Sequence, residues 1–348
     1  MNVPLIHAGD CAVILVNYQN WQDTLACVQS ISGLESPPKH IVIVENGSGN
    51  DSAAQLSAHL AAQFPLCCIQ EGSQPPALTS HILLCLHENN GFSAGNNAAM
   101  RLLLSTTCRA FWLLNTDTLV TPSSLNALCT RLNERPDAAC CGSTLIYQHD
   151  GVTVQCAGGT QFSPLLGTTT YIDGGKPCAD VCAQPPEPVE ARLGSLTGAS
   201  LLVRREVVQT CGMMEEKYFL YYEDVEWCLR MRRRGWRLAW APQSRVYHKE
   251  GGSSGAASAQ PSTRSLLVDY LSIRNRFFLL KTYFPRSLPL ALLSLLAVFV
   301  NRIRRGQIRR ILPLLRAAVA GLPQAPTSLL RRDFFHLLQI PIIALGHY

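Results

Sequence analysis

The chain of 348 residues contains little charge and no uninterrupted apolar run of membrane-spanning length. Charged residues make up 16% of it and apolar residues 47%, which is typical of a globular protein and not of a disordered one. The uncharged run Ser287–Val300 has 14 residues, whereas a membrane-spanning helix needs about 20. The apolar segment Cys11–Val16 has no basic residue before it, so we expect no signal peptide and a cytoplasmic location.

The fourteen cysteines do not form a recognisable metal or disulfide framework. None forms a CxxC pair, and Cys178 and Cys182 have no second pair nearby. In a long chain without an export signal, we expect reduced and mostly buried thiols instead.

Acidic residues are scarce toward the C-terminus. Residues 264–348 contain 13 Lys/Arg but only Asp269 and Asp333, a net charge of +11, while the 17 basic and 22 acidic residues of 1–263 give −5. The Gly- and Ser-rich segment Gly251–Pro261 lies just before this change and is typical of a mobile loop or linker. We therefore predict a larger domain over residues 8–263 and a basic helical region over 264–348.

Short apolar runs alternate with helical segments in the N-terminal half. This alternation predicts a parallel α/β sheet covered on both faces, and ligands of such sheets bind beyond the carboxyl ends of the strands. The expected strands are Cys11–Val16, Ile41–Val44, Ile82–Leu86 and Phe111–Leu114, and the expected helices are Trp21–Ile31, Ser52–Leu60 and Ala94–Leu104. Farther along we expect loops and short antiparallel strands over 151–195, a strand at Ala199–Val203 and a helix at Val225–Arg234.

The carboxylate of Asp117 follows the fourth expected strand, in the tripeptide Asn115-Thr116-Asp117. Such a position suits a metal ion, since Mg²⁺ and Mn²⁺ accept one or two carboxylates together with phosphate oxygens. A simple turn is the alternative, because Asn, Thr and Asp are common turn residues.

A second acidic group, Glu223-Asp224, follows a run of large residues and precedes an expected helix. The helix macrodipole stabilises carboxylates at a helix N-terminus, and this is a sufficient structural explanation for the acidic pair. The functional alternative is a carboxylate in a partly apolar pocket that takes a proton from an acceptor hydroxyl.

Two further segments carry candidate binding residues. His248 precedes the glycine-rich segment, which would suit a closing lid, although a histidine after a strand is more often structural. Asn89–Asn97 places a tight turn at a helix N-terminus, where backbone N–H groups suit an anionic or polyhydroxyl ligand. This turn lacks the Walker lysine and the full GxGxxG spacing.

Taken in order along the chain, six motifs resemble the inverting glycosyltransferase family 2, and its rhamnosyltransferase-type branch in particular. They are Glu45-Asn-Gly-Ser48, Asn90-Gly-Phe-Ser-Ala-Gly-Asn-Asn97, Leu113-Leu-Asn-Thr-Asp117, Gly198-Ala199, Phe219-Leu-Tyr-Tyr-Glu-Asp224 with Arg230, and Val246-Tyr-His248. The resemblance covers roughly residues 10–280, including Arg274-Asn275-Arg276. It implies a GT-A fold, a Rossmann-like and mostly parallel sheet with flanking helices, followed by the basic helical region.

The resemblance also implies roles for individual residues. Asp224 is expected to be the catalytic base, and Asp117 and His248 are expected to hold a divalent metal, Mg²⁺ or Mn²⁺. Arg230 is expected to steady the carboxylates or the diphosphate. The nucleotide-sugar-binding set implied around them is Asn17, Glu45, Asn46, Ser48, Asn90, Gly91, Asn96, Asn115, Asp117, Glu223 and Arg230.

Three positions depart from the family pattern. Glu45 stands in place of Asp, Asn115 replaces the first Asp of the DxD motif, and Gly212-Met-Met-Glu215-Glu216 replaces Gly-x-Phe-Asp-Glu. Because the expected base and metal carboxylate are kept, we expect an active enzyme.

The implied reaction is one displacement with inversion. An acceptor hydroxyl attacks the anomeric carbon of a nucleoside-diphosphate sugar, Asp224 takes the proton, and the metal stabilises the departing diphosphate. Resemblance alone favours rhamnose as the sugar and a saccharide or lipid-linked saccharide of surface polysaccharide synthesis as the acceptor. The alternatives are a nucleotidyltransferase and a non-catalytic nucleotide-sugar-binding protein of the same fold.

The C-terminal region combines leucines with arginines. Arg286 and Arg302 flank the run Ser287–Val300, and Phe334–Gly346 is a second apolar patch. This composition favours helices that lie on the anionic inner face of the cytoplasmic membrane. Packing on the larger domain and an oligomer interface are the alternatives. Nucleic-acid binding is disfavoured, because the basic residues lie among leucines and not in an aromatic-interleaved patch.

Overall fold

The computed structural model describes residues 5–73, 78–249 and 265–322. Two compact units are present: Met1–Gln161, Thr170–Phe219 and Glu223–Ser253 form the first, and Phe162–Thr169, Leu220–Tyr222 and Ser254–Tyr348 form the second. The segments Gly251–Pro261 and Phe334–Gly346 singled out in the sequence lie outside the described residues. The predicted boundary between residues 263 and 264 lies there too, so it stays a prediction.

The N-terminal half of the first unit alternates strands and helices as predicted. Its elements are β1 (Cys11–Asn17), α1 (Trp21–Ser32), β2 (His40–Asn46), α2 (Ser52–Ala61), β3 (Leu66–Gln70), β4 (His81–Leu86), α3 (Phe92–Leu103) and β5 (Ala110–Leu114). All seven predicted elements of this half are confirmed. Strand β3 was not predicted, because it is an edge strand in which Cys67 and Ile69 are buried while Cys68 and Gln70 are exposed.

The rest of the chain adds eight strands and eight α-helices within the described residues. They are β6 (Thr118–Val120), α4 (Ser124–Glu134), β7 (Ala138–Tyr147), β8 (Val154–Ala157), β9 (Gly159–Ser163), β10 (Thr168–Tyr171), α5 (Cys178–Cys182), α6 (Pro186–Glu190), β11 (Ser195–Leu196), β12 (Ser200–Arg204), α7 (Arg205–Cys211), α8 (Glu223–Arg233), β13 (Arg237–His248), α9 (Leu266–Tyr283), α10 (Leu288–Arg304) and α11 (Ile311–Ala320). The predicted strand and helix near β12 and α8 are confirmed. In residues 151–195 the structure has short strands as predicted, but also the helices α5 and α6, each of which follows a proline.

One ten-stranded sheet organises the first unit. Its order is β3-β4-β2-β1-β5-β12-β7-β13-β6, with β8 paired to β7 outside this path. The strands from β3 to β5 are parallel to one another, as are β7 and β13. Strand β12 runs antiparallel to β5 and β7, and β6 runs antiparallel to β13. The predicted mostly parallel α/β sheet is therefore confirmed.

Both faces of this sheet are buried. Successive side chains of a strand point to opposite faces, and in β1 Ala12 and Ile14 belong to one buried cluster while Val13 and Leu15 belong to another. A strand covered on both sides can be apolar at every position. This explains why the apolar runs of the sequence have no polar alternation.

The cysteines contribute to this core as thiols. All fourteen lie within the described part of the chain, all are free, and eleven of them are buried. The predicted burial of most cysteines is confirmed, and their reduced state stays a prediction.

The described part of the second unit consists mainly of α9, α10 and α11. Phe277 and Leu280 of α9, Leu295 of α10 and Leu314 of α11 share one buried cluster. Asp269 of α9 accepts hydrogen bonds from two arginines that follow it in the chain. Among the described residues, one helical stretch, Pro285–Arg304, is long and apolar enough to cross a membrane by length and composition.

Candidate active site

The carboxyl ends of four parallel strands meet at one edge of the large sheet. In register, Asn17 at the end of β1 lies beside Glu45 of β2, and Asn46 of β2 lies beside the last residue of β4. Strand β5 pairs with β1 on its other side and ends just before Asn115. The edge at which the sequence predicted ligand binding is thus lined by amides and a carboxylate.

At the ends of β1 and β2, short hydrogen bonds hold the polar side chains. Glu45 Oε1 accepts a hydrogen bond from the Ser48 N–H (2.9 Å), and Ser48 Oγ accepts one from the Gln19 N–H (2.8 Å). Asn17 is fully buried, and its Oδ1 accepts from the Thr24 hydroxyl (2.8 Å). Its Nδ2 has no hydrogen-bond partner among the described residues. Such a buried donor is expected to meet a ligand or an ordered water.

Asn46 connects the turn after β2 with the turn after β4. Its Nδ2 donates to Asn89 Oδ1 (3.0 Å) and to the Gly91 carbonyl (3.2 Å), and Asn90 lies half-buried in the same turn. Asn46 Oδ1 is buried and has no partner within the described segments. The structure therefore brings Asn17, Glu45 and Asn46 together and leaves one donor and one acceptor among them unsatisfied.

Gly91 begins helix α3 at a very close approach of two chain segments. A Cβ at Gly91 would lie 2.3 Å from the carbonyl oxygen of Phe219, and the Gly91 φ is +94°. The Phe92 N–H donates to the same Phe219 carbonyl (2.7 Å). Asn96 lies inside α3, where its Nδ2 donates to the Phe92 carbonyl (2.9 Å). Its predicted ligand contact stays a prediction.

Asp117 and His248 are adjacent in the structure although 131 positions separate them in the chain. Asp117 precedes β6, and His248 at the end of β13 pairs in register with Thr118 of β6. His248 Nε2 lies 3.3 Å from Asp117 Oδ1, and each side chain is 9% exposed. On the other side of the imidazole, His248 Nδ1 lies 2.8 Å from Gln155 Oε1.

The two carboxylates Glu223 and Asp224 begin helix α8, as predicted. Asp224 Oδ2 accepts a hydrogen bond from the Gly198 N–H (3.1 Å), and its Oδ1 accepts from the Val225 N–H (2.7 Å). Glu223 is buried, and its Oε2 has no partner among the described residues.

Burial changes the pKa of both carboxyl groups. It raises the pKa of Asp224 above its usual value, although the N–H groups of Gly198 and Val225 act in the opposite direction. The pKa of Glu223 lies well above its usual value because of burial and, second, the charge of Asp224. Carboxyl groups this close titrate as a pair. Since only Asp224 receives two backbone N–H donors here, the charge of the pair belongs on Asp224 and the proton on Glu223.

The backbone of Gly198 and Ala199 joins Asp224 to the end of β5. Gly198 donates to Asp224, and the next residue, Ala199, accepts a hydrogen bond from the Asn115 N–H (3.0 Å). Asn115 is half-buried, and its carbonyl accepts from the Thr118 hydroxyl (2.7 Å). The backbone of two consecutive residues, Gly198 and Ala199, therefore links the motif around Asn115 to the motif around Asp224.

Arg230 lies in the packing of α8 and not at the strand ends. Its guanidinium forms an ion pair with Glu226 (2.9 Å) and donates to the carbonyl oxygens of Cys211 and Met213 (2.7 Å each). Arg230 thus steadies a carboxylate other than Glu223 and Asp224. Its predicted contact with the diphosphate stays a prediction.

The sequence profile described as "Glycosyltransferase like family 2" matches residues 8–266. This match covers most of the chain and includes the strand ends, the Asp117–His248 pair and the two carboxylates. The chain belongs to glycosyltransferase family 2. The predicted family and the predicted class of enzyme are confirmed.

Three curated proteins illustrate the range of relatives of this glycosyltransferase. The low-salt glycan biosynthesis hexosyltransferase Agl10 of Haloferax volcanii is 23% identical over 84% of this chain and 82% of its own length. The N-acetylglucosaminyl-diphospho-decaprenol L-rhamnosyltransferase of Mycobacterium tuberculosis is 39% identical over 26% of this chain, and the match spans 29% of that protein. In the protein y4gI of Sinorhizobium fredii, the matched part is 20% of its length.

A solved structure agrees with the fold of this glycosyltransferase. The mannosyltransferase PcManGT from Pyrobaculum calidifontis, in complex with GDP-Man and Mn²⁺, has a TM-score of 0.51 and 12% identity, covering 97% of this chain and 85% of its own. The GT-A architecture that the sequence motifs implied is confirmed.

The sequence did not reveal several parts of the glycosyltransferase site. The Gly198 N–H and the Phe219 carbonyl act through the backbone, so their side chains give no signal of their role. Gln155 lies in a segment that was predicted only as loops and short strands. In the described part of the chain, no cluster of three or more His, Cys, Asp or Glu residues could hold a metal ion.

Proposed function

We propose that this chain transfers a sugar, with inversion, from a nucleoside-diphosphate sugar to a hydroxyl group of a saccharide or lipid-linked saccharide. The observation that carries this proposal is Asp224, a half-buried carboxylate whose two oxygens each accept a backbone N–H beside a buried second carboxyl group. The two N–H donors favour the ionised form of Asp224 over that of Glu223, so we place the proton of the pair on Glu223. An ionised carboxylate in such a site can take the proton of an attacking hydroxyl.

The donor nucleotide is assigned to the ends of β1, β2 and β4. Asn17 Nδ2 and Asn46 Oδ1 are buried there without partners among the described residues. A base or ribose supplies both acceptors and donors, so it would satisfy this pair of side-chain atoms. Glu45, Ser48, Asn90 and Asn115 complete the proposed nucleotide-sugar site.

A divalent metal fits the pair of Asp117 and His248. Two cis ligands that each lie about 2.1 Å from a six-coordinate ion are about 3 Å apart, and His248 Nε2 and Asp117 Oδ1 are 3.3 Å apart. One carboxylate and one imidazole leave further positions for phosphate oxygens and water, as Mg²⁺ and Mn²⁺ require. When bound, the ion would stabilise negative charge on the departing diphosphate.

We propose rhamnose as the sugar and a lipid-linked saccharide as the acceptor. Support comes from the rhamnosyltransferase relative, whose name states a diphospho-decaprenol acceptor, and from the dTDP-rhamnosyl transferase RfbF of Shigella flexneri. Both matches cover only about a quarter of this chain.

Donor and mechanism can be tested on the full-length protein. We expect dTDP-rhamnose with Mn²⁺ to raise the melting temperature more than UDP-sugars or GDP-mannose do, and anomeric NMR of the product to show inversion. A retained anomeric configuration would refute the mechanism. Donor binding without transfer or hydrolysis would favour a non-catalytic nucleotide-sugar-binding protein.

We also propose that the second unit binds the inner face of the cytoplasmic membrane through the apolar surface of α10. This surface consists of Leu290, Leu292, Leu293, Leu296, Val300 and Ile303, each more than 40% exposed. The opposite side of α10 is buried against α9 and α11 through Ala291 and Leu295. A helix with one face packed on its neighbours is suited to lie in the membrane interface.

The charges around this surface match anionic lipid headgroups. Residues 270–322 contain ten Lys/Arg and no acidic residue. Asp269 already pairs with Arg302 and Arg310 (2.7 Å each), while Arg304 and Arg305 are exposed. Basic side chains near an anionic surface contribute about 1 kcal/mol each.

Vesicle flotation of the full chain tests the membrane proposal. We expect binding to phosphatidylglycerol-containing vesicles, weaker binding to phosphatidylcholine, and a loss of at least tenfold in the Leu293→Gln/Leu296→Gln variant, since burying each leucine contributes about 1.5–3 kcal/mol. Val152→Gln, which changes an exposed valine of the first unit (62% exposed), should bind normally. If the double variant floats like the wild type, or if the surface instead forms a dimer in light scattering, the proposal is wrong.

A further inference from the structure

Strand β8, which pairs with β7, contains a β-bulge at Gln155. In the ladder between β7 and β8, Leu145 pairs with Cys156 and Ile146 pairs with Val154, so Gln155 has no opposite residue. Bulges next to active sites commonly redirect a side chain. Here the side chain of Gln155 is redirected to His248, with Oε1 2.8 Å from Nδ1.

This contact determines which nitrogen of His248 carries hydrogen. An amide oxygen can only accept a hydrogen bond, so His248 Nδ1 carries hydrogen and donates it. In the form of the ring that binds a metal ion, the other nitrogen, Nε2, then presents its lone pair. That lone pair faces Asp117 Oδ1 at 3.3 Å.

Two lone pairs that face each other at this distance repel unless a positive centre, either a proton or a metal ion, lies between them. A divalent cation provides such a centre, because it accepts both the imidazole nitrogen and the carboxylate oxygen as ligands. Gln155 is 1% exposed and His248 is 7% exposed, so bulk water does not compete freely for this hydrogen bond. The arrangement holds the imidazole both in orientation and in tautomer.

We propose that Gln155 is a positioning residue that fixes the Nδ1–H tautomer of His248 and thereby prepares Nε2 to bind the divalent metal. This inference rests on the proposed metal role of Asp117 and His248. It assigns a reason for the bulge in β8, since a regular strand would pair Gln155 with β7. Partners of this kind typically change metal affinity by about 10–100-fold when they are removed.

Two substitutions at Gln155 separate the acceptor from the volume of the side chain. Gln155→Met keeps most of the volume but removes the acceptor, and Gln155→Glu keeps an oxygen in place. We expect Mn²⁺ affinity, measured from the electron paramagnetic resonance signal of free Mn²⁺, to fall about 10–100-fold in Gln155→Met. Gln155→Glu should bind Mn²⁺ at least as tightly as the wild type. The matched control is Gln161→Met, which changes an exposed glutamine of the same region and should have no effect.

A second measurement needs no metal. In ¹⁵N-histidine NMR spectra of the metal-free protein, His248 should carry hydrogen on Nδ1 in the wild type and in Gln155→Glu, but not in Gln155→Met. The signal is identified by its loss in His248→Gln. Equal melting temperatures of the metal-free variants would show that the fold is kept; if Gln155→Met does not fold, Gln155→Asn, whose shorter arm withdraws the acceptor, replaces it.

The two measurements distinguish the failure of this inference from the failure of the proposed metal site. An unchanged tautomer in the acceptor-deficient variant, or Mn²⁺ affinity within about twofold of the wild type, would overturn the role of Gln155. If the wild type binds no Mn²⁺ but Gln155→Met still loses the hydrogen on His248 Nδ1, the metal function of the pair is refuted. The positioning role of Gln155 is then retained.

Discussion

Replacement of Asp224 by asparagine tests the central chemical proposal. The change keeps the size of the side chain, but it removes the basic oxygen that we propose takes the acceptor proton. Asp224 uses its two oxygens to accept one N–H each, from Gly198 and Val225. Asparagine has a single oxygen, so one of these N–H groups loses its acceptor.

The expected effect on turnover follows from general-base catalysis. Such assistance typically contributes about 10²–10⁴-fold, so the activation free energy should rise by about 3–5 kcal/mol. The effect on folding should be much smaller. A lost hydrogen bond costs about 1 kcal/mol. Asparagine also carries no charge, so it avoids the cost of burying a carboxylate, which is the cost that raises the pKa of Asp224.

The assay compares kcat for sugar transfer with donor binding by calorimetry in the presence of Mn²⁺. We expect kcat to fall by two to four orders of magnitude while the dissociation constant of the nucleotide changes less than about threefold. Asp180→Asn serves as the control, because Asp180 is an exposed aspartate of α5. Turnover within tenfold of the wild type in the Asp224 variant would refute its role as base. A parallel loss of donor binding would show that Asp224 acts in binding and not only in proton transfer.

Three other substitutions test separate parts of the structure. Glu223→Gln removes a group whose pKa is raised by burial and by its charged neighbour. The folded wild type therefore loses stability as pH rises above the usual glutamate pKa of about 4.3, and the melting-temperature advantage of the variant should grow from pH 4 to pH 8. A constant difference in melting temperature would contradict the raised pKa. Gly91→Ala places a Cβ 2.3 Å from the Phe219 carbonyl and should lower the free energy of unfolding in denaturant by more than about 2 kcal/mol. The control Gly151→Ala is also at positive φ but has nothing within 4 Å, so it should lower that free energy by about 1 kcal/mol. Equal losses in the two variants would mean that only backbone strain acts. Asp117→Asn should abolish the thermal shift caused by Mn²⁺, and a retained shift would place the metal elsewhere.

The sequence predicts the strands of the sheet well where they are buried on both faces. Cys11–Val16 and Phe111–Leu114 are apolar at every position, and the structure places them side by side as β1 and β5. Strand β3 escapes prediction, because only alternate residues face the core of an edge strand. The short helices α5 and α6 also escape it, since five residues give too few turns for a helical pattern.

The candidate site was predictable at the level of residue types but not of partners. The motifs indicate Asp117, His248 and the pair Glu223-Asp224 as chemical groups, and the structure brings the first two within 3.3 Å. Arg230 could not be interpreted in this way, because the carbonyl oxygens that it contacts belong to the chain before α8 and leave no mark in the sequence. Backbone partners of this kind become visible only once the chain is folded.

Two backbone positions just before β12 connect the proposed base with the strand end that precedes the proposed metal pair. The Gly198 N–H holds Asp224, and the Ala199 carbonyl holds Asn115, two residues before Asp117. A Cβ at Gly198 would lie 3.1 Å from the ring of Phe92 and 4.0 Å from Asp224 Oδ2. An added methyl group would therefore press on Phe92 of α3 while it makes ordinary contact with Asp224. The placement of Asp224 beside the strand ends thus involves a residue with no side chain, which is why the Gly198-Ala199 dipeptide belongs with the other motifs of the candidate site.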